Sequence, residues 1–147
     1  MDKLNFPEYE FRLKKGQIFD PVRRKFVALT PEEWVRQHVI WYLAEKGYPF
    51  SLMAVEAQIE VNTLKKRMDI LLYDKNARPL LIVECKAPSV KINQEVFDQL
   101  ARYNLSAGAP YFFLSNGLDH FCCEASGSGR EYVFIKHLPS FEALSGI

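Results

Sequence analysis

The spacing of apolar residues changes period several times along the chain. From Trp34 to Leu43 it is helical: Trp34, Val35, Val39, Tyr42 and Leu43 fall on one face, with His38 among them. "TPEEW" marks the start, with Thr30 as N-cap, Pro31 in the first helical position and Glu33 in the third, a capping box. Gly47 after Lys46 is a natural stop. The pattern predicts a helix over residues 31–46. The period then drops to two: in "AVEAQIEV", Val55, Ala57, Ile59 and Val61 alternate with Glu56, Gln58, Glu60 and Asn62, as in a half-buried strand. "KKRMDILLYD" leads into a second strand near Met68 to Tyr73. The turn-rich "DKNARP" follows, and "LLIVECK" is a third strand. Helical spacing returns in "NQEVFDQLARYNLSAG", N-capped at Asn93 and ended near Gly108. "PYFFLSNG" is a fourth strand turning at Asn116 and Gly117. "LDHFCCEA" and "REYVFIKHL" suggest an edge hairpin around "SGSGR".

Residues 1–29 read as an extended lead-in packed on the domain, in which "FRLKKGQIFD" suits a small hairpin turning at Gly16. Residues 30–147 then form one domain in the order helix, three strands, helix, strand. The expected fold class is α/β, with two helices covering one mixed sheet.

Composition narrows this picture only a little. The 147 residues carry a net charge of +1, with 48% hydrophobic and 25% charged, an ordinary globular balance. Nothing global calls for a nucleic-acid or membrane partner, and no segment has the apolar length of a membrane span. Three cysteines without framework spacing suggest reduced thiols in a cytoplasmic protein. No CxxC or Cys/His pattern supports zinc. The N-terminus lacks the apolar run of a signal peptide.

The candidate chemistry lies in "LLIVECKAP". Residues two apart in a strand share a face, so Glu84 and Lys86 project together while Cys85 projects with Val83 and Leu81. A hairpin through "DKNARP" centred between Asn76 and Ala77 places Asp69 opposite Glu84, and Arg67 opposite Lys86. A one-residue slip would move Asp69 to the other face. Two carboxylates facing each other repel, and buried together at least one should be hard to ionise. Lys86 could balance one charge. A hard divalent cation, Mg²⁺ with Mn²⁺ as substitute, would do so more fully, and Lys86 would then steady an attacking water or a phosphodiester. A plain ion-pair cluster occupies such positions as well, and spacing alone does not separate the two.

These residues in this order resemble the PD-(D/E)xK nucleases, whose core is also helix, three strands, helix, strand. With "DPVRRKFVALTPEEWVRQHVIWYLAEKGYP", "QEVFDQLARYN" and "YFFLSNG", the chain from residue 18 to 124 resembles the N-terminal nuclease domain of type I restriction enzyme R (motor) subunits. That resemblance implies a Mg²⁺-dependent deoxyribonuclease acting on DNA beside other restriction-system subunits or a motor. Asp69 and Glu84 would be metal ligands, with the Cys85 backbone carbonyl a third, and Lys86 the catalytic lysine. Gln99 and Tyr103 match a QxxxY element that positions DNA or supports the site; their i, i+4 spacing shares one helix face. Glu33 matches a first-helix acid that adds a ligand through water in some relatives. Met68 stands where the motif is named for Pro. No GxxxxGK[ST] loop accompanies the domain, and 147 residues leave no room for a motor.

Bland readings stand beside these. Glu33 is already explained by the capping box, Gln99 by an ordinary polar helix position and Tyr103 by core packing. His38 reads as a core residue. His120 and His137 have no partner motif, and Cys122 and Cys123 read as strand packing. Basic clusters at 14–15, 23–25 and 65–67 suit a solvated surface. Lys65, Lys66 and Arg67, just before Asp69, could also meet phosphates. A catalytically silent DNA- or protein-binding module of the same fold, and a purely structural domain, are the rival readings.

Overall fold

The computed structural model describes residues 1–61, 64–126 and 131–145. The lead-in forms a three-stranded antiparallel sheet of β1 (Leu13–Lys14), β2 (Gln17–Asp20) and β3 (Lys25–Ala28). The β1–β2 turn is made at Gly16, whose φ of 66° is cheap only for glycine.

Helix α1 (Pro31–Glu45) follows at once. Thr30 caps it, its Oγ1 accepting the Glu33 amide at 3.0 Å. The reciprocal half of the expected capping box is replaced. Glu33 spends its carboxylate on Arg23, Arg36 and Gln37 instead.

The main sheet has six strands in the order β4 (Met53–Val61), β5 (Leu64–Tyr73), β6 (Pro79–Cys85), β7 (Tyr111–Ser115), β8 (His120–Ser126) and β9 (Glu131–Ile135). All neighbours are antiparallel except β6 and β7, which run parallel. A parallel pair needs a crossover, and α2 (Gln94–Ala107) supplies it. Asn93 caps α2 by accepting the Val96 amide, and Gly108 ends it at φ 71°. The β8–β9 hairpin is present; its tip at 127–130 lies outside the described residues. A short helix, α3 (Phe141–Ser145), closes the described chain.

The two helices cover opposite faces. On one, Val35, Val39, Ile40 and Leu43 of α1 pack on Ile70, Leu72, Leu81, Val83 and Cys85. On the other, Phe97 and Leu100 of α2 pack on Met68, Leu71, Ile82, Phe112 and Leu114. Burying side chains of this size contributes about 1.5–3 kcal/mol each. β6 therefore sits at the centre of both cores, and its C-terminal end carries Glu84.

The lead-in is stitched to the chain just past the C-terminal end of β7, the end at which Ser115 pairs with Cys85 of β6. Leu4 is buried in the α1-side core, and the Asn5 amide donates to the Gly117 carbonyl at 2.7 Å. A Cβ at Gly117 would lie 2.8 Å from a Leu4 methyl, and Gly117 has φ 89°. His120 joins the same seam, with Nε2 2.6 Å from the Asn5 carbonyl and Nδ1 2.8 Å from Ser115 Oγ. His38 is buried beside Trp34, Phe6 and Phe11 as a core residue.

Candidate active site

The β5–β6 ladder pairs Ile70 with Val83, Leu71 with Ile82 and Leu72 with Leu81. A bulge after Leu72 absorbs the turn, where the Asp74 carboxylate accepts the Asn76 and Arg78 amides. This is the register expected from the sequence, and it brings Asp69 and Glu84 to neighbouring strand ends. The simple alternation of faces fails just there. Ile70 and Val55 belong to the α1 side, yet Met68 and Ala57, two residues on, belong to the α2 side. The switch occurs at Asp69 and at Glu56, between the paired positions Val55–Ile70 and Ala57–Met68. Glu56 takes φ 57°, a left-handed conformation that costs a non-glycine residue about 1 kcal/mol or more. Met68 is thereby turned into the α2-side core, while Asp69 reaches Arg36 of α1.

Asp69 is buried and both its oxygens are engaged. Oδ1 accepts from Arg36 Nη2 at 2.8 Å and Oδ2 from the Cys85 amide at 2.7 Å. Arg36 Nη1 also donates to Glu33 Oε1 at 2.9 Å, and Glu33 takes Arg23 at 2.8 Å and Gln37 at 3.0 Å. Arg23 in turn pairs with the fully buried Asp20 at 2.6 Å. Burial alone would lower the pKa of Arg36, but the Glu33 and Asp69 carboxylates outweigh it and raise it.

Glu84 stands across from this network. Its carboxyl is pushed up to about 8 by burial first and by the Asp69 charge second. Lys86 opposes the rise, with Nζ 3.4 Å from Glu84 Oε1. The backbone of Lys86 is anchored to β7 through its amide, 2.8 Å from the Ser115 carbonyl. Glu84, Lys86, Val96, Gln99, Leu100 and Tyr103 line a small cavity of about 20 Å³. Gln99 Nε2 donates to Tyr103 Oη at 2.7 Å across one helical turn. The Cys85 thiol faces the α1-side core, where burial raises its pKa well above the ordinary value. Only its backbone belongs to the site.

The site residues expected from the sequence thus fall into two groups. Asp69, Glu84, Lys86, Gln99 and Tyr103 meet at one sheet end. Glu33 does not join them, because its carboxylate oxygens are taken by Arg23, Arg36 and Gln37. Its neighbour Glu32 interacts electrostatically with Asp69 and Lys86; burial and then the Asp69 charge raise its pKa. Arg67 leans on Glu56 at 3.6 Å. The side chains of Lys65 and Lys66 lie outside the described residues. Arg23, in a basic cluster expected at the surface, is spent internally. Arg36 had no signal beyond a polar residue in helical register. A larger hollow of about 530 Å³ lies elsewhere, between Tyr42, Phe113, His120, Cys122, Phe134 and Lys136, away from the carboxylates.

Among the described residues no group of three His, Cys, Asp or Glu side chains is arranged to hold a metal. The two-carboxylate donor set nevertheless fits a hard divalent cation. Such ions take one or two carboxylates and fill the remaining positions with waters, carbonyls and substrate oxygens. A carboxyl that resists ionisation beside a second carboxylate is also the state a cation would relieve.

The whole arrangement is that of a restriction-endonuclease-like fold with an acidic pair and a lysine at the end of its central strands. Residues 31–139 match the family model described as type I restriction enzyme R protein N terminus (HSDR_N), so the chain belongs to that family. It is similar to a fragment structure provisionally assigned as an HsdR subunit of a type I restriction enzyme from Vibrio vulnificus YJ016. There the identity is 21%, the TM-score 0.54, and the match covers 79% of this chain and 24% of that one. The match therefore spans about a quarter of the length of that fragment's chain. A DUF820 protein from Anabaena variabilis ATCC 29413, provisionally assigned as a nuclease, aligns at 12% identity and a TM-score of 0.49 over 83% of this chain and 86% of that one. No curated protein matches.

Proposed function

We propose that this chain is a metal-dependent DNA endonuclease domain of the type I restriction R-subunit kind, hydrolysing phosphodiester bonds. The observation that carries the reading is the placing of Glu84, partly buried, beside the buried Asp69 at one sheet end with Lys86 3.4 Å away, a setting that pushes its carboxyl up to about 8. Like charges kept together at a cost in free energy are expected where a ligand relieves the repulsion. Asp69 and Glu84 would hold Mg²⁺, or Mn²⁺ as a substitute, with the Cys85 backbone carbonyl as a further donor. The bound ion would supply an activated water and charge neutralisation at the phosphate. Lys86, on the same strand end as Glu84, would orient the attacking water and stabilise charge developing on the phosphate oxygens. Gln99 and Tyr103, locked to each other on α2, would position the DNA backbone. Arg67, with Lys65 and Lys66 beside it, would meet neighbouring phosphates. Glu32, which interacts electrostatically with Asp69 and Lys86, would be the first-helix acid nearer the reacting end, since Glu33 is paired with arginines. The family places such a domain in a restriction system. We propose DNA as substrate, other restriction subunits or a motor as partners, and the cytoplasm as the setting. Among the described residues no helix is long and apolar enough to cross a membrane.

One observation favours the rival, a catalytically silent binding module: both Asp69 oxygens already have partners. Thermal melting against Mg²⁺ and Mn²⁺ separates the two. A ligand that binds only the folded state raises its stability with concentration. The nuclease reading expects the wild type to gain stability, Asp69→Asn to gain none, and plasmid nicking to vanish in Lys86→Ala. Metal-independent DNA binding that Asp69→Asn leaves unchanged would establish the silent module instead.

A further inference from the structure

Arg36 occupies ground that a cation at Asp69 would need. Its Nη2 lies 2.8 Å from Asp69 Oδ1, and the Cys85 amide holds the other oxygen. A guanidinium this close to a ligand carboxylate satisfies its charge and repels a divalent ion approaching the same oxygens. We infer that Arg36 is the protein's own counter-ion to Asp69 and competes with the metal for that carboxylate, so that it sets the metal affinity of the site. The inference rests on the reading of Asp69 and Glu84 as the metal pair.

Three features of the surroundings support a competing role over a purely architectural one. Arg36 is buried, yet its Nε has no hydrogen-bond partner, so the guanidinium is not fully satisfied where it stands. A second acceptor is within reach: Glu56 Oε1 lies 3.5 Å from Nη1, at the margin of a hydrogen bond. Glu56 is half-exposed, and its contacts to Arg67 at 3.6 Å and Arg23 at 4.0 Å are longer still. Arg36 can therefore release Asp69 and close on Glu56 without losing Glu33, which anchors Nη1 at 2.9 Å. The guanidinium already touches both acids at once, so a small turn toward Glu56 would free an Asp69 oxygen for a ligand, while the present setting shields the acid pair. Restraint of this kind suits a nuclease that is harmful when unregulated.

The test is calorimetric titration of Mn²⁺ into the wild-type chain, Arg36→Met and Arg36→Lys, each first shown folded by its melting curve. Methionine keeps much of the packing volume and removes the charge. Lysine keeps the charge but cannot bridge Asp69 and Glu33 as a fork. Arg36→Met should bind Mn²⁺ about tenfold tighter or more, with Arg36→Lys in between. A folded variant with equal or weaker affinity overturns the inference, since an arginine that orients Asp69 for the metal would lose affinity when removed. If neither variant folds, the wild type decides. The Arg36 side-chain NH resonances of ¹⁵N-arginine-labelled protein should shift as Mg²⁺ saturates, and resonances that stay fixed overturn the competition. A wild type that binds neither ion defeats the underlying metal-site reading, a result distinct from binding that Arg36 does not tune.

Discussion

Asp69 and Glu84 sit on adjacent strands at the same sheet end, but their surroundings differ sharply. On the α1 side, Asp69 is the last member of a chain of close pairs running Asp20, Arg23, Glu33, Arg36, Asp69, each link between 2.6 and 2.9 Å. On the α2 side, Glu84 has Lys86 at 3.4 Å and then the Gln99–Tyr103 pair across a small cavity. The first region is saturated and the second is sparse. A carboxylate that is fully paired behaves as structure, because its charge is already balanced. One that is partly buried beside a like charge with a single loose cation holds its proton more tightly and stays available for chemistry. One sheet end therefore combines a densely paired wall with a sparse one.

Four changes should sharpen or break that contrast. The largest effect is expected at the far end of the saturated side. Asp20→Ala strips a fully buried carboxylate from Arg23 and from the Val22 and Arg23 amides. It should cost about 3–5 kcal/mol in urea unfolding; a loss under about 1 kcal/mol would mean the network adds little. On the sparse side, Lys86→Ala should leave folding nearly unchanged while lowering Mg²⁺-dependent DNA cleavage on the order of a hundredfold, read by plasmid nicking. An equal loss of stability and activity would return Lys86 to the structural wall.

The third change reads the pH dependence of Glu84. Its folded pKa of about 8 lies above the unfolded carboxyl value of about 4.3, so the folded state binds this proton more tightly. The associated stability is fully present below the unfolded value and is lost as pH rises through about 8. In metal-free buffer the wild type should lose stability between about pH 4 and 8, and Glu84→Gln should flatten that part of the profile. Parallel profiles for the two proteins would show that Glu84 ionises freely. The smallest effect belongs to Gln99→Ala. It removes a hydrogen bond between exposed side chains and should change stability by about 0.5 kcal/mol or less. DNA cleavage should fall in the same variant if the pair positions substrate.

The sequence was most legible where physics is local. Thr30 and Asn93 as caps, Gly108 as a stop and the Gly16 hairpin each depend on neighbours a few residues away. The β5–β6 register was also legible, because hydrophobic runs on both sides of one turn admit few pairings. What stayed hidden depends on contacts between distant segments. Arg36 reads as one more polar helix residue until β5 is folded against it, 33 positions away. Arg23 reads as surface charge until Asp20 and Glu33 enclose it. Glu33 matches the first-helix acid only through the family resemblance, while the capping box already accounts for it locally. In the fold, that same position turns it into the arginine network. The period-two rule failed at Glu56 and Asp69 because both strands switch face together, a strained step that no pattern of apolar residues announces.

Gly117 and Leu4 occupy what amounts to one side chain's volume. A methyl of residue 4 stands where a Cβ of residue 117 would project, so the two positions form a single lock assembled from segments far apart in the chain. Relatives compared across many genomes should show these positions varying as a pair. Wherever 117 carries a side chain, the bulk at 4 should shrink or the leading segment should take another path. That covariation would trace how relatives change the segment around residue 4 while leaving β6 and the following Lys86 untouched.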